Sequence, residues 1–528
     1  MFMKKSLSFL LIIVLSVASL QAKNAKDVVV PVPASVKMND GTLLLNNQIE
    51  VKTKGKSSVE KFLINELSKR FGIKQAKGGT TVLLDRDPSS GLGEEAYTLV
   101  ISRDGAKIKA STDKGLFYGV QSLLQLINEG KNGNCVELSI QEIEDEPRFS
   151  WRSYMIDESR YFLGVGELKR MIDALAELKL NVLHWHLTDD AGWRIEIKKY
   201  PLLTKIGAKR KDTEIGTWGS GKTSGEPHEG FYTQKEVKEI LRYARERHIK
   251  VVPEIEMPGH ASAAIASYPW LGTKNEQIEV PVEFGKHYHI FNVIDPRVQT
   301  FLKDVVAEVM DLFDTDIIHI GGDEVRFDHW EQDSAMVAHK KKMGYSSFMD
   351  IQIEFVNMMS DYIKSKGARM MGWNEILGKS LHPGEISFEK PKTEIAENVM
   401  VHFWKGDVKD MSAAARKGYQ LVNSYHIYTY LDYSYKGIPL EKIYGFNPIP
   451  ENLEEQYHKN MVGAGCQMWR EWVPNVEKLH YQTFPRIAAF AEVGWSQEKN
   501  KDYSAFLNRL TQIKEIWKEN GIKFYEEL

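Results

Sequence analysis

The chain has 528 residues, too long for a typical single domain but long enough for a large barrel with insertions plus one smaller unit. Its formal net charge is −3, so neither nucleic acid nor an anionic membrane surface is indicated as a partner. Aromatic residues make up 11% of the chain, and many lie late in the sequence beside polar residues. That pattern suits either a core or a pocket in which rings stack on a ligand.

The start of the chain has the pattern of a secretory signal peptide. Two basic residues, Lys4 and Lys5, precede an apolar run over residues 7–17, and small and polar residues follow up to Ala22. This run is too short for a spanning helix, and no later segment is long and apolar enough to cross a bilayer. We therefore expect residues 1–22 to be removed and the mature protein to be exported, either to the periplasm or to the medium, with no membrane span.

A small α/β domain is predicted over residues 28–146. Its predicted helices and strands, from their apolar spacing, are Val59–Phe71, Thr81–Leu84, Tyr97–Ile101 and Gly115–Asn128. This region shows no catalytic constellation. The acidic stretch from Glu142 to Pro147 is predicted to be a linker to the next domain.

Residues 148–528 show strand-like runs alternating with amphipathic helices, which is typical of parallel βα units. One predicted helix starts after Asp295 as the N-cap and Pro296 in the first turn, and continues to about Phe313. Eight strands are predicted: Ser153–Ile156, Asn181–Leu187, Lys250–Ile255, Asp316–Ile320, Ala368–Trp373, Val399–Trp404, Gln420–Ser424 and Gly463–Trp469. Eight such units predict a (β/α)₈ barrel. A doubly wound open sheet is the alternative, and it would not require eight strands.

The predicted strands end in acids, arginine, histidine and aromatic residues. The fourth is the clearest case, because its apolar run breaks at Gly321 and Gly322 and then presents two adjacent carboxylates, Asp323 and Glu324. For one Asp-Glu pair a solvated turn would be an adequate explanation. Eight polar endings on one face of a barrel instead indicate an active site at the carboxyl ends of the strands. Carboxylates beside several tryptophans suit a sugar, whose ring offers apolar CH faces as well as hydroxyls.

The segment Gly216–Thr223 satisfies the spacing of a phosphate-binding loop. That motif requires a buried strand before it and a helix after it. Here neither is predicted, so we interpret the segment as a flexible insertion in the barrel.

Most glycosidases place two carboxyl groups on either side of the scissile bond. The side chains of sequence neighbours such as Asp323 and Glu324 diverge and cannot easily do so. The pair fits a scheme in which the substrate supplies its own nucleophile.

At this point the sequence resembles the β-N-acetylhexosaminidases of glycoside hydrolase family 20, over essentially the whole chain after the signal. The residues that carry the resemblance are Asp157…Arg160, His184-x-His-x-x-Asp-Asp190, Gly192-Trp-Arg194, Met257-Pro-Gly-His260, His319-x-Gly-Gly-Asp-Glu324, Gly372-Trp373, Tyr430-Leu-Asp432 and Trp469-x-Glu471. Glu256 stands where many relatives have aspartate.

The resemblance implies retaining, substrate-assisted hydrolysis through an oxazolinium intermediate. Glu324 would be the general acid and then the general base. Asp323 would bind the acetamido N–H of the substrate and stabilise the developing positive charge. Tyr430 would hydrogen-bond the acetamido carbonyl, although Tyr428 competes with it for this role.

The resemblance also implies the residues that bind the sugar. Arg160 would hold O3 and O4, and Asp432 and Glu471 would accept from the outer hydroxyls. His260 with Asp189 would support Glu324. Three tryptophans would form the pocket walls: Trp373, Trp404 and Trp469.

Other residues of the motifs have structural explanations. His184, His186 and Trp193 are expected to brace the barrel mouth, and Asp190 and Arg194 are expected to form an ion pair. Candidates for an outer subsite are Trp218, Trp330 and Trp472.

The sequence thus predicts an exo-acting β-N-acetylhexosaminidase that removes terminal GlcNAc or GalNAc from an oligosaccharide or glycoconjugate. The alternatives are an ordinary two-carboxylate retaining glycosidase and a catalytically silent sugar-binding protein. No cofactor or metal is expected, because histidines and cysteines with metal spacing are absent from the sequence. The two cysteines, Cys135 and Cys466, are expected to be buried and inert. The oligomeric state is not indicated.

Overall fold

In the computed structural model, residues 23–132, 135–379, 381 and 391–526 are described. The predicted signal peptide, residues 1–22, lies outside them. Within the described ranges, no helix is long and apolar enough to cross a membrane.

The N-terminal region forms a mixed sheet with two helices packed against it. The described strands are Ser35–Leu45, Gln48–Lys54, Lys74–Gln75, Thr80–Arg86, Tyr97–Ser102, Gly105–Ala110, Lys131–Asn132 and Cys135–Asp145. The helices Val59–Phe71 and Asp113–Glu129 lie where helical spacing predicted them. The second of these is buried on all sides from Gly115 to Ile127 and so belongs to the core that packs against the sheet.

The predicted linker at Glu142–Pro147 is wrong for its first four residues. Glu142–Asp145 is the end of the strand Cys135–Asp145, which pairs antiparallel with both Ser35–Leu45 and Tyr97–Ser102. Exposed Glu142 and Glu144 alternate with buried Ile143 and Asp145, as in a strand with one buried face. The acidic composition alone does not distinguish such a strand from a linker.

The second region is a closed barrel of eight parallel strands in the described chain, which confirms the predicted barrel and excludes the open sheet. We number them barrel strands 1 to 8 in chain order. They are Trp151–Asp157, Val182–His186, Lys250–Glu254, Ile317–His319, Arg369–Trp373, Met400–Phe403, Gln420–Asn423 and Met461–Met468. Each overlaps a predicted strand, because fully buried parallel strands appear in sequence as short apolar runs.

Helices surround the barrel. Those described are Val165–Glu177, Leu202–Lys205, Gln234–Arg245, Ser262–Ser267, Pro296–Phe313, Asp328–Gln332, Ser334–Met343, Phe348–Ser365, Val408–Arg416, His426–Thr429, Leu440–Tyr444, Val476–Thr483, Arg486–Trp495 and Tyr503–Glu519. Asp295 caps Pro296–Phe313 as predicted, since its side chain accepts a hydrogen bond from the backbone N–H of Arg297 at 2.8 Å. Short ribbons follow barrel strand 2, at Thr188–Asp189 with Gly192–Trp193 and at Lys209–Arg210 with His228–Glu229.

Buried charges join the two regions. Lys179 of the barrel has no exposed surface and donates to Asp145 of the sheet at 2.8 Å and to the Tyr97 hydroxyl at 3.0 Å. Arg152 of barrel strand 1 makes hydrogen bonds of 2.8 and 3.2 Å to the carboxylate of Glu95. Such pairs hold the sheet on the barrel in one orientation, because either charge would be costly if left alone.

Both cysteines are free: Cys466 is buried as expected, whereas Cys135 is only half-buried.

Candidate active site

The carboxyl ends of the barrel strands open on a cavity of about 400 Å³. The residues predicted to act in catalysis or to bind the terminal sugar all line this cavity: Arg160, Asp189, His260, Asp323, Glu324, Trp373, Trp404, Tyr430, Asp432, Trp469 and Glu471. The remaining lining residues are Trp218, Gly285, Lys286, Lys405, Tyr433 and Trp472.

The turn after barrel strand 4 directs the two adjacent carboxylates. Gly321, Gly322 and Glu324 have φ values of +67°, +90° and +50°, a conformation that glycine adopts at little cost and glutamate rarely. A Cβ on Gly321 would lie 1.7 Å from the Oε2 of Glu256, so this position has no room for a side chain. The turn brings both Asp323 and Glu324 to the cavity.

Asp323 has an unused hydrogen-bond acceptor. Its Oδ1 is buried without a hydrogen-bond partner among the described residues. Burial raises the pKa of Asp323 to about 7, with the neighbouring Glu324 adding to the rise and His260 opposing it. A donor from a ligand in the cavity would satisfy this oxygen and favour the ionised form.

His260 lies between two pairs of carboxylates. Its Nε2 is 3.8 Å from Asp323 Oδ2 and 3.7 Å from Glu324 Oε2. Its Nδ1 lies 3.2 Å from Asp189 Oδ1 and 3.0 Å from Asp190 Oδ2. Burial alone would lower the pKa of His260, but Asp189 and its other carboxylate neighbours raise it well above its usual value. The imidazolium therefore places a positive charge beside Asp323 and Glu324.

The predicted ion pair between Asp190 and Arg194 is wrong. Asp190 instead accepts a hydrogen bond from the backbone N–H of Ser262 at 2.9 Å and faces His260. Arg194 is fully buried and donates to backbone carbonyls of Ala208 and of other loop residues. It braces the loops of the barrel mouth through main-chain contacts that sequence proximity does not reveal.

Charged groups cluster around Arg160 at one end of the cavity. The Nη1 of Arg160 is 2.9 Å from Asp189, and its Nη2 is 3.7 Å from Glu471. Asp432 also lines this end, and its Oδ1 is buried without a hydrogen-bond partner in the described chain. Burial, with Glu471 adding to it, raises the pKa of Asp432 well above its usual value. This end offers a guanidinium and carboxyl oxygens suited to several hydroxyl groups.

Aromatic rings form the walls. Trp373 is buried, and its Nε1 donates to Glu254 Oε1 at 2.7 Å. The rings of Trp404 and Tyr430 are nearly parallel, 6.0 Å apart at 11°. Trp469 lies beneath Arg160, whose guanidinium carbon is 5.2 Å from its ring centre.

The structure separates the two competing tyrosines. Tyr430 lines the cavity. Tyr428 lies outside it and stacks on Phe446, with ring centres 5.0 Å apart. Burial raises the pKa of Tyr430 well above its usual value, so its hydroxyl keeps its proton and can donate it in a hydrogen bond.

Of the three tryptophans that were candidates for an outer subsite, two line the cavity and one does not. Trp218 and Trp472 line the cavity and meet edge to face, 5.3 Å apart. Trp330 is fully buried and donates to the backbone carbonyl of Phe291, so it takes no part in the cavity.

The histidines of barrel strand 2 are buried below the cavity. His184 lies 2.9 Å from Glu254, and His186 lies 3.3 Å from both Asp157 and Glu256. These His and carboxylate groups lie close enough to one another to bind a metal ion geometrically. Trp193 donates to the backbone carbonyl of Ile195 at 2.8 Å, outside the cavity. All three brace the barrel mouth.

Three further titratable residues lie in or beside the predicted site. Glu375 accepts from Trp404 Nε1 at 2.9 Å, and burial, with Asp323 adding to it, raises its pKa well above its usual value. The polar ending Trp373-Asn-Glu375 of barrel strand 5 is the sequence signal that could have marked Glu375. Lys286 and Lys405 line the cavity from loop positions that no local pattern marks.

Comparison with known proteins assigns the chain to a family. The model of the glycosyl hydrolase family 20 catalytic domain matches residues 149–498, and the model of domain 2 of the same family matches residues 27–146. The chain belongs to glycosyl hydrolase family 20. The resemblance in the sequence motifs is thereby confirmed.

Relatives within family 20 extend over most of the chain. The β-hexosaminidase of Porphyromonas gingivalis is 32% identical over 509 residues, which are 93% of this chain and 62% of that protein. The chain thus spans about three fifths of that relative's length. The β-hexosaminidase of Vibrio furnissii is 32% identical over 484 residues, which are 88% of this chain and 76% of that protein.

A solved family 20 structure has the same architecture. The GH20 exo-β-N-acetylglucosaminidase of Vibrio harveyi, in complex with N-acetylglucosamine, has a TM-score of 0.82 and 29% sequence identity. The match covers 95% of this chain and 78% of that chain.

Proposed function

We propose that this family 20 chain is an exo-acting, retaining β-N-acetylhexosaminidase that uses substrate-assisted catalysis. The proposal rests above all on Asp323, which lines the same cavity as Glu324 and whose buried Oδ1 has no hydrogen-bond partner among the described residues. An acetamido N–H of a bound sugar would supply the missing donor. The hexosaminidase and acetylglucosaminidase names of the relatives support the same substrate class.

In the first step the acetamido carbonyl oxygen of the substrate attacks the anomeric carbon. Asp323 accepts the N–H and Tyr430 donates its O–H to the carbonyl, so the weak amide nucleophile is held in position. Glu324 gives its proton to the glycosidic oxygen as that bond breaks. The products are the leaving alcohol and a cyclic oxazolinium ion, whose positive charge lies beside ionised Asp323.

In the second step Glu324, now a carboxylate, takes a proton from water. The resulting hydroxide equivalent attacks the anomeric carbon and reopens the ring to the free N-acetyl sugar. Two inversions at one carbon give net retention. The imidazolium of His260, held by Asp189, would stabilise the carboxylate form of Glu324 between the two steps.

Exo action is supported by the charged groups clustered at one end of the cavity. Arg160, Asp432 and Glu471 line the cavity and would bind the hydroxyls of a terminal sugar there. Trp373, Trp404 and Trp469 would enclose the ring and the acetamido methyl, because CH faces pack well on indole rings.

The ordinary two-carboxylate mechanism is less compatible with this geometry. It needs carboxylates on opposite faces of the anomeric carbon. Here both carboxylates come from one turn and both face the same nitrogen of His260. A catalytically silent sugar-binding protein is also disfavoured. Such a protein would not need an acid, Glu324, directly beside the buried carboxylate of Asp323.

The experiment measures hydrolysis of an aryl β-N-acetylglucosaminide, with a thiazoline analogue of the oxazolinium ion as inhibitor. We expect competitive inhibition in the parent and no hydrolysis of the matching aryl β-glucoside. Glu324→Gln should lower kcat by about 100-fold or more, since general acid catalysis contributes 10²–10⁴-fold. Asp323→Asn should lower kcat to a similar extent with a smaller effect on KM. Equal cleavage of the glucoside, or a parent insensitive to the thiazoline, would refute the substrate-assisted mechanism.

We also propose that the protein is exported, on the basis of residues 1–22. Expression of the full sequence in a Gram-negative host, followed by fractionation and N-terminal sequencing, tests this. A mature N-terminus at Lys23 is expected, and an uncleaved cytoplasmic product would contradict it.

A further inference from the structure

Trp404, which lines the cavity after barrel strand 6, is attached by hydrogen bonds to the elements on both sides of it. Its backbone N–H donates to the side-chain Oδ1 of Asn374 at 2.9 Å, and its indole Nε1 donates to the carboxyl group of Glu375 at 2.9 Å. Its backbone carbonyl accepts from the N–H of His426 at 2.8 Å. Both the main chain and the ring of Trp404 are therefore held in place.

Asn374 and Glu375 follow barrel strand 5, at a point where the regular pairing of barrel strands 5 and 6 has ended. The side chain of Asn374 continues this pairing, because it accepts from the N–H of Trp404 and donates to the backbone carbonyl of Lys405 at 3.0 Å. Both residues are buried, and neither is among the described residues that line the cavity. Their hydrogen bonds thus act on the cavity through Trp404.

Trp404 stands at one end of a row of four aromatic rings in the cavity wall. Its ring centre is 6.0 Å from that of Tyr430, Tyr430 is 6.3 Å from Trp469, and Trp469 is 6.0 Å from Trp373. Trp373 at the far end is fully buried, whereas Trp404 is only partly buried. The position of Trp404 therefore sets how much space the row leaves beside Tyr430.

This space is where the proposed function places the end of the substrate's acyl group. Asp323 would accept the amide N–H, and Tyr430 would donate to the amide oxygen, so both polar atoms of the amide are fixed. The carbon beyond the carbonyl then lies against the aromatic row. An acetyl group ends there in a methyl, and a longer acyl group must place further methylenes in the same space. In a close-packed site, methylenes that do not fit are costly.

We propose that Asn374 and Glu375 are positioning residues that, through Trp404, restrict the enzyme to sugars with a short N-acyl group. This inference rests on the proposed function. When either residue is replaced by alanine, the indole can tilt away from Tyr430 and the cavity admits a longer chain. The reaction itself stays the same, because a butanoyl carbonyl oxygen attacks the anomeric carbon as an acetyl carbonyl oxygen does.

The competing explanation is that Glu375 acts through its charge on Asp323. Burial, with Asp323 adding to it, raises the pKa of Glu375 well above its usual value. A change in this electrostatic coupling would alter the rate for every N-acyl substrate by the same factor. The ratio of kcat/KM between an N-acetyl and an N-butanoyl substrate cancels such a factor, and it also cancels any loss of folded enzyme.

The substrates are nitrophenyl β-glucosaminides that carry an N-acetyl, an N-propanoyl or an N-butanoyl group. We expect the parent to lose about tenfold in kcat/KM for each added methylene, and hence to prefer N-acetyl over N-butanoyl by about 100-fold. Fluorinated acyl groups are unsuitable, because they also weaken the carbonyl oxygen as a nucleophile.

The variants separate the hydrogen bonds from the charge and from general loosening of the barrel. Glu375→Ala and Asn374→Ala should each reduce the preference to about tenfold, the cost of one methylene. Glu375→Gln removes the charge but keeps an oxygen that can accept from the indole N–H, so it should keep the parental ratio.

Asn181→Ala is the matched control. The side chain of Asn181 accepts from the backbone N–H of Arg152 at 3.0 Å and donates to the backbone carbonyl of Ser150 at 2.8 Å, as Asn374 does for Trp404 and Lys405. It precedes barrel strand 2, at the opposite end of the barrel from the cavity. This variant should be less stable in urea and yet keep the parental ratio.

Four results would overturn the proposal. A parent that cleaves the N-butanoyl substrate as fast as the N-acetyl one shows no selection, while the proposed function stands. A parental ratio in both Glu375→Ala and Asn374→Ala refutes their positioning role. A ratio that falls equally in Asn181→Ala assigns the effect to general loosening. A parent that cleaves none of the three substrates refutes the proposed function itself, and the selection fails with it.

Discussion

The Oε2 of Glu256 lies 1.7 Å from the position that a Cβ on Gly321 would occupy. The carboxylate of Glu256 contacts His186 at 3.3 Å and is fully enclosed, so it has little freedom to move away. Gly321→Ala should therefore displace the turn that holds Asp323 and Glu324. We expect kcat/KM to fall by about 100-fold or more, as for a misplaced catalytic group.

The control for this substitution is Gly344→Ala. Gly344 also has a φ of +67°, but a Cβ there would meet nothing within 4 Å. It should lose about 1 kcal/mol of stability from the backbone conformation and keep full activity. Activity in Gly321→Ala equal to that of the control would show that the contact with Glu256 does not set the turn.

The pH dependence of activity should follow the ionisation of Asp323. Its pKa is raised to about 7, mainly by burial, and only the ionised form carries the negative charge that stabilises the oxazolinium ion. The kcat/KM for an aryl N-acetylglucosaminide should therefore fall as pH drops below about 7. His260 lowers the pKa of Asp323, so His260→Asn should move this acidic limb to higher pH in addition to slowing the reaction.

His289→Asn is the control for the pH profile. His289 lies outside the residues that line the cavity, 5.0 Å from the ring of His329. Its replacement should leave the acidic limb in place. A limb that moves to lower pH in His260→Asn would contradict the assigned influence of His260 on Asp323.

The barrel and the position of its active site could be predicted because their signals are local. A buried parallel strand is a short apolar run, and the residues that follow it all reach one face of the barrel. This is why Asp323 after barrel strand 4 and Trp469 after barrel strand 8 could be expected to meet, although 146 positions separate them in the sequence.

What could not be predicted depends on partners far away in the chain. The acidic end of the strand Cys135–Asp145 resembled a linker, because its pairing with Ser35–Leu45 has no local signal. Lys286 lies in a loop whose course is fixed by Glu214, 72 positions earlier. The pairing of Asp190 with His260 instead of Arg194 likewise follows from the way two loops pack.

Glu177 should make stability depend on pH. It is the last residue of the helix Val165–Glu177 and lines a small cavity between the two regions. Burial raises its pKa to about 7, with Arg70 opposing the rise and Glu66 and Asp173 adding to it. The unfolded chain ionises near 4.5, whereas the native state keeps its proton up to about 7. The contribution of Glu177 to the free energy of unfolding is therefore fully present below about pH 4.5 and is lost as pH rises through 7.

Glu177→Gln tests this, since glutamine imitates the protonated acid. Urea unfolding at pH 5 and pH 8 should show the variant close to the parent at pH 5 and more stable by up to about 3 kcal/mol at pH 8. Glu451→Gln, at an exposed turn, should differ from the parent by the same amount at both pH values. A stability difference for Glu177→Gln that does not grow with pH would contradict the raised pKa.

The last prediction concerns the buried pair of Lys179 and Asp145 at the junction of the two regions. Lys179→Met should destabilise the protein by about 3–5 kcal/mol, because it leaves the carboxylate of Asp145 buried without its cation. The double variant Lys179→Met with Asp145→Asn should recover part of this loss, since no charge is then left unpaired. The double variant also loses the contact of the Lys179 ammonium with the ring of Trp495, 4.6 Å away, so only part of the stability should return. Chemical unfolding of the parent, both single variants and the double variant measures the coupling. Additive losses in the double variant would show that the two charges do not depend on one another, and the sheet would then be held on the barrel mainly by its apolar contacts.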